Sequence, residues 1–86
     1  MTRVDKDKQS QVFQTTDVQL AHVVKRSLWW EFPGCKAEVY DVNANGTLYW
    51  VLVYGQSNAT AERMKWFSKG VRLLFKFNRE NSIKVG

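Results

Sequence analysis

Asn45-Gly46 lies between two runs of residues that favour β structure, and this feature constrains the fold of the chain more than any other. Both residues tolerate positive φ, which a tight turn between antiparallel strands requires. The two runs cover residues 36–42 and 47–54. The second run is apolar or aromatic on both of its faces, which is typical of a central strand rather than an edge strand. The sequence therefore predicts a β-hairpin whose second strand is central in a sheet.

An amphipathic helix is predicted over residues 17–31, ahead of the hairpin. Thr16 and Gln19 have the spacing of a capping box at its start, and Pro33 ends it. The apolar side chains that repeat at helical spacing are Leu20, Val24 and Leu28. A short strand over residues 11–15 is expected before this helix.

The segment after residue 58 allows two interpretations. In the favoured one, a helix over residues 59–69 is closed by Gly70, and residues 71–77 alternate as a strand. In the other, a single helix continues through Gly70 to about Phe77. That helix carries a mid-helix glycine, which costs about 1 kcal/mol relative to Ala. It also leaves apolar side chains such as Phe77 on a second side, away from the core. Residues 82–85 are predicted to add a short terminal strand.

The favoured element order is βαββαβ, which predicts an α+β two-layer sandwich of the ferredoxin-like kind. Both helices then lie on one face of an antiparallel sheet. The alternative is a β-hairpin packed between two helices, the second of them long and basic. Eighty-six residues leave room for one domain. We assign it to residues 11–86, preceded by a flexible polar segment over residues 1–10.

The chain has one Cys and one His, which excludes a Cys/His zinc site within it. Cys35 is interpreted as a small packed residue and His22 as a surface helix residue. No sequence motif for nucleotide binding or hydrolysis occurs, and no nucleophile–base pair can be assembled. We therefore expect a protein that is not an enzyme, with no catalytic residue, metal or cofactor. The absence of an 18-residue apolar run and of a secretory leader predicts a cytoplasmic protein with no membrane partner.

Charge is segregated along the chain. Residues 1–60 hold six basic and six acidic side chains, whereas residues 61–86 hold seven basic and two acidic ones, so the whole net charge of +5 lies in the last 26 residues. These basic side chains face solvent in either interpretation of the segment. Phosphates are their natural ligands, and Trp66 between them could stack on a base. Trp50 and Tyr54 are the alternative stacking residues if the sheet face opposite the helices is open. The sequence thus predicts a small nucleic-acid-binding protein. The candidate residues are Arg63, Lys65, Trp66, Lys69, Arg72, Lys76 and Arg79.

A protein partner is the alternative. In that case the chain is an inhibitor or regulator that docks on an acidic surface of a larger protein, as small accessory proteins of viruses and mobile elements do. Trp29 and Trp30 point about 100° apart on a helix, so one of them either docks a partner or packs under the hairpin. The other large aromatic side chains are expected in the core, namely Trp50, Phe67, Phe75 and Phe77. Nothing in the sequence indicates the oligomeric state.

Overall fold

The computed structural model describes residues 9–85, with side chains through Arg79. Its class is α+β, as expected, with the element order β-α-β-β-α. Most of the predicted flexible segment, residues 1–8, lies outside the described residues. The elements are β1 (Gln9–Thr15), α1 (Val18–Glu31), β2 (Lys36–Asp41), β3 (Tyr49–Tyr54) and α2 (Asn58–Val85).

The three strands form an antiparallel sheet in the order β1-β3-β2. The prediction that the second hairpin arm is the central strand is therefore confirmed. In the register of the sheet, Val51 pairs with Val39 on one side and with Phe13 on the other. Successive residues of a strand point to opposite faces, so Val51 and Val53 face one way and Trp50 the other. β1 has a bulge between Gln11 and Phe13.

One apolar cluster holds the fold together. Val51 and Val53 of the central strand are fully buried in it, and both helices contribute side chains to it. The two helices therefore cover the same face of the sheet, and they also pack against each other. The principal helix residues in the cluster are Leu20, Ala21, Val24, Leu28, Ala61 and Met64.

The predicted strands at residues 71–77 and 82–85 are wrong, because α2 continues as a single 28-residue helix from Asn58 to Val85. The ferredoxin-like order is therefore not formed. The long basic helix of the alternative is present, although both helices lie on one face rather than on either side of the hairpin. Packing explains why the helix continues through Gly70. The side chains that contact the core on both sides of this glycine keep helical spacing, namely Met64, Phe67, Val71 and Phe75.

The start of α1 differs by one residue from the prediction. Asp17, not Thr16, is the N-cap, and its Oδ1 accepts hydrogen bonds from the backbone N–H groups of Gln19 and Leu20 at 2.9 and 3.3 Å. Asp is as good an N-cap as Thr. The hydroxyl of Thr15 accepts a hydrogen bond from the backbone N–H of Asp17, which fixes the chain as it enters the helix.

The hairpin loop also differs in detail from the predicted tight turn. Its residues with positive φ are Ala44, at 57°, and Gly46, at 74°. Asn45 instead uses its side-chain oxygen to accept a hydrogen bond from the backbone N–H of Thr47. The carboxylate of Asp41 accepts a hydrogen bond from the backbone N–H of Gly46 at 3.0 Å. The result is a wider loop closed by side chains rather than a two-residue turn.

Candidate nucleic-acid interface

Four exposed basic side chains follow one flank of α2, and we call them the basic row. Because successive helix residues are separated by about 100°, the four lie within about 60° of arc. At a rise of about 1.5 Å per residue, the row extends over about 16 Å of the helix. Its members are Lys65, Lys69, Arg72 and Lys76.

The basic row borders a shallow groove between α2 and β1. Lys65, Lys69 and Arg72 form one wall of this groove, and Gln11–Gln14 of β1 form the other. Among the described strands β1 pairs only with β3, so its outer edge has no strand partner. Backbone groups on such an edge remain available for hydrogen bonding. The groove thus places a cationic wall opposite a polar strand edge.

Ion pairing leaves the middle of the row uncompensated. Lys65 Nζ lies 3.8 Å from Glu62 Oε1, in an exposed pair one helical turn apart. Lys69 and Arg72 have no acidic residue three or four positions away in the sequence, which are the positions that meet on a helix surface. Nor does either form a salt bridge with any side chain of residues 9–79. These two cations therefore contribute most to the positive potential of the groove.

Trp66 stands beside the row and is 65% exposed. The ammonium of Lys69 lies 4.5 Å from the centroid of the Trp66 ring, which is a cation–π distance. An indole held this way keeps most of its surface open to solvent. Trp66 is therefore available to stack against a planar group bound along the basic row.

Two of the basic residues singled out by sequence lie outside the row. Arg79 Nη2 donates to Asp17 Oδ2 at 3.1 Å, and its guanidinium carbon lies 4.9 Å from the Phe75 ring centroid. Arg79 therefore ties the two helices together. Arg63 is exposed on the other flank of Trp66, about 160° around the helix from Lys65.

Trp29 and Trp30 lie on the outer surface of α1, and neither packs under the hairpin. Trp30 is 90% exposed, and the ammonium of Lys25 lies 4.9 Å from the Trp29 ring centroid. Both tryptophans border a broad, open depression together with His22 and Arg26. This depression is separate from the groove beside the basic row.

The expected aromatic core is correct only in part. Phe67 and Phe75 are half-buried against the core cluster, whereas Phe77 is 60% exposed. Trp50 is half-buried on the helix-free face of the sheet, where its indole N–H donates to Gln14 Oε1 at 3.1 Å. Sequence reasoning also missed the exposure of Leu73 and Leu74 on α2. The sequence did hold an indication of this exposure, because a single long helix places apolar side chains on a second side, away from the core. That feature was a reason for not favouring the long helix.

Cys35 and His22 do not form a reactive pair. The Cys35 thiol donates to the backbone carbonyl of Leu28 at 3.6 Å, and partial burial raises the pKa of this thiol above its ordinary value. His22 is exposed on α1. Among the side chains of residues 9–79, no three of His, Cys, Asp or Glu come together as metal ligands. Within residues 9–85, no helix is long and apolar enough to cross a membrane.

Comparisons of the chain with protein-family models, with curated proteins and with solved structures found no match.

Proposed function

We propose that this protein binds nucleic acid through the basic row and Trp66, without catalysing a reaction. The observation that carries the proposal is the position of Lys69 and Arg72. They are two adjacent cations with no salt-bridge partner among residues 9–79, on the wall of a groove and beside an exposed indole.

The charge of the row suits phosphates. Cations that replace the counterions around a nucleic acid gain free energy from the release of those counterions. The row is about 16 Å long, which is about the length of five stacked nucleotides at 3.4 Å each. Long, exposed Lys and Arg side chains can adjust to a flexible backbone, so the contacts need no particular base sequence.

The groove suits a single strand better than a duplex. One strand can place its phosphates on the wall formed by Lys69 and Arg72, and its sugars and bases toward the polar edge of β1. Trp66 then stacks on a base at the rim, an interaction worth about 1–3 kcal/mol per base in proteins that bind single strands. A duplex keeps its bases stacked inside the helix and cannot use Trp66 in this way.

The test is fluorescence anisotropy of labelled single-stranded and double-stranded oligonucleotides of DNA and RNA, titrated with protein at low salt. We expect saturable binding that is tightest for single strands. The double variant K69Q/R72Q should lose at least about tenfold in affinity, equivalent to 1.4 kcal/mol. The matched control is K25Q/R26Q, which removes the same charge from α1 and should bind nearly as well as the wild type. Equal losses in the two variants would show that net charge alone drives binding, and would overturn the proposed site.

An acidic protein segment is the second candidate ligand, and the unpaired outer edge of β1 favours it. An extended peptide could add to this edge as a fourth strand, with its carboxylates facing Lys65, Lys69 and Arg72. In this case oligonucleotides would bind weakly or not at all. The protein would then act as a regulator that docks on an acidic surface of a larger protein.

A further inference from the structure

The outermost face of α2 carries an apolar stripe of which the nucleic-acid proposal uses only Trp66. Trp66, Gly70, Leu73 and Phe77 lie within about 60° of arc, on the side of the helix opposite to the buried Met64 and Ser68. Their 4-3-4 spacing is that of a seam between two packed helices. In the described chain nothing covers this seam.

Neither backbone conformation nor packing within the chain explains why position 70 is a glycine. A Cβ added to Gly70 would meet no atom within 4 Å, and the residue is not among the glycines with positive φ. Its cost in the middle of a helix, about 1 kcal/mol relative to Ala, is therefore not offset by packing within the chain. A glycine in an exposed apolar seam does allow a second helix to approach closely at that point.

The exposed area is close to what a dimer needs. On α2, Leu73, Leu74, Phe77 and Trp66 are 68%, 64%, 60% and 65% exposed. Trp30 of α1 is 90% exposed and lines a cleft between the two helices together with Leu74. With about 150–250 Å² for each aromatic side chain and somewhat less for each leucine, these five offer about 700 Å². A standard interface buries about 800 Å² per partner.

We infer that two copies of this chain associate through the outer face of α2, with the helices antiparallel and crossing at Gly70. A twofold axis at Gly70 brings position i of one copy opposite position 140 − i of the other. Trp66 then packs on Leu74 of the second copy, and Phe77 meets the guanidinium of the second copy's Arg63. A parallel pair instead sets Trp66 against Trp66 and Phe77 against Phe77, which keeps the helices apart at Gly70.

The antiparallel arrangement has an electrostatic consequence. In an antiparallel pair, equivalent flanks of the two helices lie on one side of the dimer. The two basic rows therefore run side by side. Their mutual repulsion opposes association and is screened by salt. The dimer should therefore become tighter as ionic strength rises, which is opposite to the behaviour of any complex with an anionic partner. The dimer does not depend on the proposed function, but both use Trp66, so base stacking and dimer contact exclude each other at this side chain.

The test is sedimentation equilibrium of the purified protein without nucleic acid, over roughly two decades of concentration and at about 50 and 200 mM salt. We expect a monomer–dimer equilibrium that shifts toward dimer at the higher salt. Leu73→Ser should raise the dissociation constant about tenfold or more. Tyr40→Ser is the matched control, because it removes an exposed aromatic side chain from the opposite face of the sheet and should leave the equilibrium unchanged.

Gly70→Gln separates association from folding. Gln is a better helix former than Gly, so the variant should fold at least as stably as the wild type, and yet it should remain monomeric because its side chain blocks the crossing. A monomer at every concentration and salt would overturn the inference, and so would a Gly70→Gln variant that dimerises like the wild type. Salt-sensitive binding of a persistent monomer to phosphatidylglycerol vesicles would assign the face to a lipid surface instead.

Discussion

Arg79 donates a hydrogen bond to the carboxylate of Asp17 across 62 positions of sequence, with Nη2 and Oδ2 3.1 Å apart. The other oxygen of this carboxylate caps α1 by accepting from two backbone N–H groups. The Asp17 side chain thus caps the start of α1 and also holds the second half of α2 against that helix. The two roles use different oxygens, so substitutions can separate them.

We predict that Asp17→Ala destabilises the protein by about 1–2 kcal/mol, chiefly through loss of the cap. Asp17→Ser keeps a capping oxygen but loses the ion pair, and Arg79→Ala loses only the ion pair. Since the pair is partly exposed, each of these two changes should cost less than about 1 kcal/mol. Urea denaturation of the three variants measures the differences. An Arg79→Ala variant as unstable as Asp17→Ala would show that the ion pair, not the cap, is the main contribution.

Replacing a glycine by alanine should destabilise the protein at Gly34 and Gly46 and stabilise it at Gly70. Gly34 and Gly46 have φ of 86° and 74°, so Ala at either position is strained by about 1–2 kcal/mol. Gly46→Ala should be the worse of the two, since its Cβ would lie 3.3 Å from the Tyr49 hydroxyl. Gly70→Ala should stabilise the helix by about 0.5–1 kcal/mol. Thermal denaturation at low protein concentration gives the ranking, and a destabilised Gly70→Ala would reveal an internal contact at this position.

Tyr54 provides a pH-dependent prediction. Its hydroxyl donates to Glu38 Oε2 at 2.7 Å, and this hydrogen bond raises the pKa of Tyr54 above its ordinary value of 10.0, with burial and the charge of Glu38 adding to the effect. A raised pKa in the folded state contributes stability below pH 10.0, and this contribution is lost as the pH rises through the folded pKa. Glu38→Gln should lower the pKa of Tyr54.

The measurement is an ultraviolet titration of phenolate formation in the wild type, Glu38→Gln and Tyr54→Phe. The Tyr54→Phe variant identifies which of the titrations belongs to Tyr54. An unchanged Tyr54 titration in Glu38→Gln would mean that the hydrogen bond does not control this pKa.

Cys35 should react slowly with alkylating reagents. The thiolate is the reactive form, and partial burial raises the pKa of this thiol. Iodoacetamide should therefore modify the folded protein more slowly than the same chain in urea at the same pH. Equal rates would indicate a thiol that is fully accessible and not desolvated.

Local sequence signals predicted the first half of this fold well. The run of apolar and aromatic residues predicted that β3 is the central strand, and the repeat of Leu20, Val24 and Leu28 predicted α1. The second helix was predicted, but the favoured interpretation ended it at residue 69, because Gly70 is also a common end of a helix. Its continuation is determined by contacts of Val71 and Phe75 with a core built from distant residues, and these contacts cannot be read from local sequence.

The candidate interface was only partly visible in the sequence for a similar reason. Helical spacing groups Lys65, Lys69, Arg72 and Lys76 without knowledge of the fold. Arg79 was also assigned to this group from the sequence. Its pairing with Asp17, which removes it from the group, depends on how the two helices pack and is not visible in the sequence. The groove beside β1 depends on the order of strands in the sheet, which fixes β1 at an edge.

The salt dependence of binding to a single-stranded oligonucleotide tests the central claim most directly. The logarithm of the affinity falls with the logarithm of salt concentration by about 0.7 for each phosphate contact on a single strand. If Lys69 and Arg72 each contact a phosphate, K69Q/R72Q should show a slope shallower than the wild type by about 1.4. The K25Q/R26Q control should keep the wild-type slope. Identical slopes for the wild type and K69Q/R72Q would contradict the account, because they would mean that these two cations touch no phosphate.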